Sequence, residues 1–168
     1  MIDLNSISTT CTRTEFVGTT ILDTIGLVIS GIDDTLRITE ADLCDRAKLE
    51  IHDSIMTTGD QNADAQFTAD LNGEDCACNI VSRTVARDHS KQHYTSTLNG
   101  NNRCAGHTEC DSILMDQAYV LATPQLSAAT TEASLIHEAA IGKIAGEQLI
   151  KLMTLGLTEE EAEEQIIS

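Results

Sequence analysis

Two copies of one short pattern narrow the folds open to this chain. Phe67-Thr68-Ala69-Asp70-Leu71-Asn72-Gly73 returns as Tyr94-Thr95-Ser96-Thr97-Leu98-Asn99-Gly100, an offset of 27 residues. In each copy apolar and polar residues alternate, which is the period of a half-buried strand. Each then runs into Leu-Asn-Gly, which reads as a turn needing a residue with positive φ. Ala41-Asp42-Leu43 is a fainter echo one step earlier. Repeats of about 20–50 residues mark stacked supersecondary units. Alternation also appears in Ala47 to Ile51, Cys76 to Val81 and Tyr119 to Leu121, with almost no helical periodicity before residue 140. The unit is therefore read as one coil of a β-solenoid. The competing arrangement is an antiparallel sandwich of hairpins.

Composition favours the solenoid. Aliphatic, sulfur-containing and aromatic residues make up 41% of the 168 residues, yet aromatics account for only 2% and Trp is absent. A conventional globule places large aromatic rings in its core. Thin layers of Ile, Leu, Val, Ala and Thr suit a stacked coil. With one Pro and no Ser/Gly-rich run, the chain reads as a single structural unit.

Near residue 140 the period changes. Ile141, Ile144, Ala145, Leu149, Leu152 and Leu155 fall on one helical face, with Gly156 placed to end that helix. Thr158 and Glu161 form a capping-box signature for a second helix from about residue 159 to 167. The expectation is a β-solenoid over residues 1–140 and a C-terminal α-helical hairpin over 141–168.

The formal net charge of −17 and a pI near 4.3 oppose binding to nucleic acid phosphates or anionic membranes and favour cations or a basic partner. The most apolar stretch, Ile25 to Ile32, is far below the roughly 20 residues of a membrane span. No secretory pattern is visible, so a cytoplasmic location with reduced thiols is expected for the six cysteines.

Thiols, imidazoles and carboxylates gather in the last third: Cys104-Ala105-Gly106-His107, Glu109-Cys110-Asp111-Ser112, and Ile136-His137-Glu138-Ala139. These are ligand types for iron and zinc. Read alone, Cys110 is equally a small buried hydrophobe, and Cys76-Ala77-Cys78 is either a pair of core residues or a sulfur-relay pair. Cys104, His107 and Cys110 are close enough in sequence to suggest a small zinc site that lacks a fourth ligand. No nucleophile elbow, phosphate-binding loop or dinucleotide fingerprint is present, so a non-enzymatic role is expected.

From about Ala65 onward the chain resembles the C-terminal half of the SufB/SufD family of iron–sulfur cluster assembly scaffolds. The resemblance is carried by Cys110-Asp111-Ser112-Ile113-Leu114, the strand with Pro124, His137-Glu138-Ala139, and the ending Leu155-Gly156-Leu157-Thr158-Glu159-Glu160-Glu161-Ala162. It implies a right-handed parallel β-helix, with Cys110 as thiolate ligand of a transient iron–sulfur cluster, Glu138 beside it and His137 assisting. It also implies a SufC-like ATPase partner and pairing as a homodimer or a SufB/SufD-type heterodimer. Keeping both Cys110 and Glu138, the chain is more similar to SufB than to SufD.

The repeat sets a condition on that site. A coil of 27 residues puts His137 in the same column as Cys110 and turns Glu138 to the opposite face. All three then meet one cluster only if the local period is 28 or if the cluster lies between two subunits.

Overall fold

The computed structural model describes residues 9–16, 34–143, 151–158, 161, 162 and 165, the first of these segments by its backbone alone. Among the described residues nine strands form two sheets, and from β2 onward successive strands alternate between them. One sheet holds β1 (Thr9–Phe16), β2 (Asp34–Leu43), β4 (Asn62–Leu71), β6 (Lys91–Gly100) and β8 (Tyr119–Ala128), in that order. The other holds β3 (Lys48–Thr57), β5 (Cys76–Ala86), β7 (Cys104–Leu114) and β9 (Ala133–Lys143). Every ladder is parallel. Two strands make one turn, so the chain winds a parallel β-solenoid of about four turns. The antiparallel sandwich is excluded, because a hairpin cannot join parallel neighbours.

From β2 onward the turn is longer than the textual repeat. Asn62 pairs with Lys91 and Cys76 with Cys104, offsets of 29 and 28 residues. Phe67 therefore faces Ser96, and Tyr94 faces Ala65. The two rings still meet in adjacent turns, both inside, with centroids 5.7 Å apart and planes inclined by 46°. A slip of two residues preserves the facing of every side chain, which is why the expected stacking holds although the period does not. The Leu-Asn-Gly copies are not equivalent. Leu98, Asn99 and Gly100 lie inside β6, whereas Asn72 and Gly73 leave β4.

Asp75, not Asn72 or Gly73, supplies the left-handed residue in that connection, at φ 55°. Gly73 meets a different demand: a Cβ there would sit 2.0 Å from the Asp45 backbone nitrogen. The other corners use Arg46, Gly59, Asp88 and Asp116, all near φ +60°. Aspartate tolerates this conformation by making local hydrogen bonds. Asp88 accepts from the Thr58 hydroxyl at 2.6 Å and the Gly59 N–H at 2.7 Å, and its own N–H donates to Asp116 at 3.2 Å. Part of the acidity of this chain thus shapes its corners.

The interior is a single column of small and aliphatic side chains, among them Leu43, Leu71, Ile80 and Leu98, all essentially inaccessible. It also encloses polar groups that composition does not reveal. Arg37 pairs with Asp53 at 2.5 Å and lies 5.0 Å from the centre of the Phe67 ring. Asp53 accepts from Ser82 at 3.4 Å, Gln92 donates to Thr57 at 2.8 Å, and the Tyr94 hydroxyl meets that of Thr108 at 3.2 Å. A buried polar group without a partner is costly, and these pairings offset part of that cost, although Arg37 Nε, Asp53 Oδ1 and Gln92 Oε1 have no hydrogen-bond partner among the described residues.

The expected helical hairpin is not supported. Ile141, read as the first apolar residue of a helix, pairs with Ser112 inside β9, which runs on to Lys143. An apolar residue recurring every three or four positions there coincides with the end of a strand, and ladder pairing decides the conformation. Helix is described over residues 151–154, followed by Gly156 at φ 98° as expected for a helix end, and otherwise only at 161, 162 and 165. The capping box also forms: the Thr158 N–H donates to the Glu161 carboxylate at 2.8 Å, and the Glu161 N–H to the Thr158 hydroxyl at 3.2 Å. Residues 144–150, 159, 160, 163, 164 and 166–168, which held much of the expected hairpin, lie outside the described residues.

Candidate metal and cluster site

Strand β7 carries the chemistry on both of its faces. Alternate residues Cys104, Gly106, Thr108, Cys110 and Ser112 point inward and are buried; His107, Glu109 and Asp111 between them are turned outward and partly exposed. Strand β9 follows the same parity, with Leu135 and His137 turned inward and Ile136 and Glu138 outward. The ladder between them has an offset of 29: Cys110 pairs with Ala139, Thr108 with His137 and Glu109 with Glu138. The local period is thus neither 27 nor 28. Cys110 and His137 share the interior face, two positions out of register. Glu138 lies on the other side of the sheet, as the alternation requires.

Inside, Asp53, Ser82 and Cys110 stand in one column across β3, β5 and β7. The Cys110 thiol is fully enclosed, 3.6 Å from the Ser112 hydroxyl. Burial pushes its pKa up, outweighing the Ser112 contact, with the negative charges of Asp111 and Asp53 acting in the same direction as burial. At neutral pH Cys110 is a thiol, and a metal must displace its proton to gain a thiolate. Above it, His137 Nδ1 is buried and without a hydrogen-bond partner.

The other cysteines divide cleanly. Cys76 and Cys104 are in register and buried, and Cys78 is buried two residues further along β5. Burial raises the Cys76 thiol to about 11, with Cys104 adding to the shift, and the Cys78 thiol to about 12, with Cys76 adding. Such thiols are poor nucleophiles at neutral pH, which weighs toward packing over relay chemistry in this conformation. Cys44, Cys76, Cys78, Cys104 and Cys110 are all free, in keeping with reduced thiols. Cys11 lies in β1, where the side chains are outside the described residues. The suggested zinc set of Cys104, His107 and Cys110 is not assembled. The pleat sends both cysteines inward and His107 outward, so no single ion reaches all three.

The outward face does assemble a group that sequence spacing missed. His107, Glu109 and Glu138 bring one nitrogen and two carboxylate oxygens within 4.8 Å of one another. His107 Nε2 is 3.8 Å from the Glu138 carboxylate, and its Nδ1 is 2.8 Å from Asn79 Oδ1. The signal was available, since a period of 29 aligns Glu109 with Glu138, but it needed the true length of the turn.

The comparisons with known proteins identify the family. Residues 36–168 match the family model for the SufBD core domain of SUF-system iron–sulfur cluster assembly. The chain belongs to this family. It is 34% identical over 128 residues to an iron–sulfur cluster assembly SufBD family protein of Pyrococcus horikoshii, a match covering 76% of this chain and 39% of that protein. A SufBD family protein of Methanothermobacter thermautotrophicus is 39% identical over 99 residues, 58% of this chain and 24% of its own length. The iron–sulfur cluster assembly protein SufB of Bacillus subtilis is 34% identical over 92 residues, 52% of this chain and 20% of its own. The matched segments thus span between about a fifth and two-fifths of these relatives. Family membership ties the chain to iron–sulfur cluster assembly. Among the described residues, no helix is long and apolar enough to cross a membrane.

Proposed function

We propose that this chain is a non-enzymatic scaffold on which a nascent iron–sulfur cluster is held in a cytoplasmic SUF-type system. The observation that carries the reading is a buried thiol, Cys110, beneath the last turn of a SufBD core solenoid, with an unpartnered imidazole, His137, on the same interior face. The cluster is cargo. Cys110 would supply the thiolate and His137 a nitrogen. Glu138, facing away, would serve the same cluster only across a subunit boundary.

The last turn favours such a boundary. Leu126 and Ile141 occupy interior positions of β8 and β9 yet are 43% and 45% exposed. Tyr119, Leu121 and Ile136 add exposed apolar area to the same turn. A second copy, or a related subunit, packed on the end of this turn would bury Leu126 and Ile141 and cover the open strand edges. ATP hydrolysis, which nothing in the sequence motifs supports here, would come from a SufC-like partner.

Anaerobic reconstitution with iron and sulfide tests the reading. A scaffold develops the visible absorbance of thiolate-bound clusters. A structural solenoid without metal stays colourless, and that outcome, from folded protein, would remove the scaffold role. Light scattering at moderate salt should report a dimer, and added salt should strengthen it by screening the −17 charge of each chain.

A further inference from the structure

We propose that His107, Glu109 and Glu138 form a binding site for one first-row divalent cation on the outer face of the solenoid, separate from the Cys110 side. The inference deepens the metal reading above by giving Glu138 a different set of partners.

The argument starts from register. Glu109 and Glu138 are paired residues of a parallel ladder on the same face. Like charges in such a position repel and weaken the pairing, so the ladder gains from a cation between them. His107 stands two residues before Glu109 on that face and reaches Glu138 at 3.8 Å. Asn79 Oδ1 can only accept, so the 2.8 Å contact requires that His107 Nδ1 carry the hydrogen. In the neutral imidazole Nε2 then holds the lone pair, and Nε2 is the atom that faces Glu138. A histidine whose second nitrogen donates to a fixed oxygen is the arrangement that orients metal-ligating imidazoles.

Distances and chemistry agree. Ligand atoms around a shared ion at ~2.1 Å lie at most ~4.2 Å apart. The three atoms here are within 4.8 Å, and Glu138, whose side chain is 67% exposed, can rotate to close the difference. His107 and Glu109 are partly buried. One imidazole with two carboxylates selects first-row ions such as Fe²⁺, Co²⁺ or Zn²⁺ over Mg²⁺ and Ca²⁺, which prefer all-oxygen shells. An open groove lined by Lys48, Glu50, Asn79, Ser134 and Ile136 adjoins His107, so the ion would be reached from solvent without opening the core.

The test uses Co²⁺ alone, titrated anaerobically into the full chain after chelator treatment, with binding followed by calorimetry and optical spectra. The wild type should bind one ion without a thiolate charge-transfer band. His107→Gln and Glu109→Gln should each weaken binding at least tenfold, and Asn79→Ala by about tenfold through loss of the orienting contact. Cys110→Ser should bind as the wild type does. Metal-free melting temperatures identify any variant that fails to fold, and His107→Gln and Glu109→Gln at an outer face provide two independent readings. No binding by the wild type, equal binding by His107→Gln, or equal loss in Cys110→Ser would each overturn the site. Co²⁺ binding retained while iron and sulfide give no chromophore would leave this site standing and remove the scaffold reading.

Discussion

Replacing Cys110 separates a ligand from a packing residue. The side chain is fully inaccessible, so Cys110→Ala deletes one buried heavy atom of roughly methylene size. The transfer cost is ~0.8 kcal/mol, and with the small cavity left behind the total is ~1–1.5 kcal/mol. For a chain of this length that lowers the melting temperature by ~2–6 °C. Cys110→Ser keeps the shape and buries a hydroxyl instead. Ser112 Oγ, 3.6 Å from the present sulfur, is placed to partner it after a small shift, which holds the cost to ~1–2 kcal/mol. Neither change approaches the ~5–15 kcal/mol that holds a domain together. Both variants should therefore remain folded, melting within a few degrees of each other by circular dichroism. Their iron and sulfide contents after anaerobic reconstitution should collapse, because neither offers a thiolate. Serine variants of Cys76 or Cys104, equally buried, should lose comparable stability and retain the cluster. Wild-type iron and sulfide in folded Cys110→Ser protein would refute the assignment of Cys110.

Phe67→Ala removes a ring 3% exposed that packs on Tyr94 and lies under Arg37, and should cost ~3–5 kcal/mol, read as a fall of at least ~6 °C in melting temperature. Gly73→Ala puts a methyl against the backbone of Cys44 and Asp45, which cannot yield as a side chain would, and should lower the yield of folded protein or its melting temperature more than any corner substitution that keeps the backbone contact. Acid should loosen the corners: the side-chain hydrogen bond from Arg103 lowers the Asp75 pKa, and that from the Thr58 hydroxyl lowers the Asp88 pKa. A depressed carboxylate contributes stability above its unfolded value of ~3.9 that is lost as pH falls through the folded value, so melting temperature should drop below about pH 5, and less steeply in Asp88→Asn.

The fold was legible because parity survives errors of length. Reading a 27-residue period where turns of 28 and 29 occur displaced Phe67 and Tyr94 by two positions, yet left both facing inward. Repetition favoured a solenoid over a sandwich, and the family resemblance supplied the parallel pairing, which every described ladder shows. Corner chemistry was less legible, since Asn72-Gly73 advertised a turn whose left-handed residue is Asp75, and another corner is turned by Asp88 with no such signal. The helical hairpin failed at its start for a related reason. Ile141 and Gly142 suit the end of a ladder as well as the beginning of a helix, and the partner strand β7 was long enough to claim them. The Arg37–Asp53 pair inside the solenoid carried no sequence signal, because a charged residue in an alternating strand looks like one turned to water.

The site depended on the length of the turn, which was the least legible quantity. An even error in period leaves facing intact, so Cys110 and His137 were correctly placed on one face and Glu138 on the other from the wrong number. Column identity has no such protection. With 27 residues His137 falls on Cys110, with 28 Glu138 does, and with the observed 29 it is Ala139. That last value moves Glu138 onto Glu109, beside His107, and turns an isolated carboxylate into a candidate ligand set. The two faces of β7 thus offer different chemistry from adjacent residues: a protonated thiol enclosed among hydroxyls within, and an imidazole with two carboxylates open to solvent without. A soft, buried ligand suits a cluster sulfur environment, whereas a harder, accessible set suits an incoming hydrated cation. A chain of net charge −17 concentrates such cations near its surface, so the outer set would be the first to meet them.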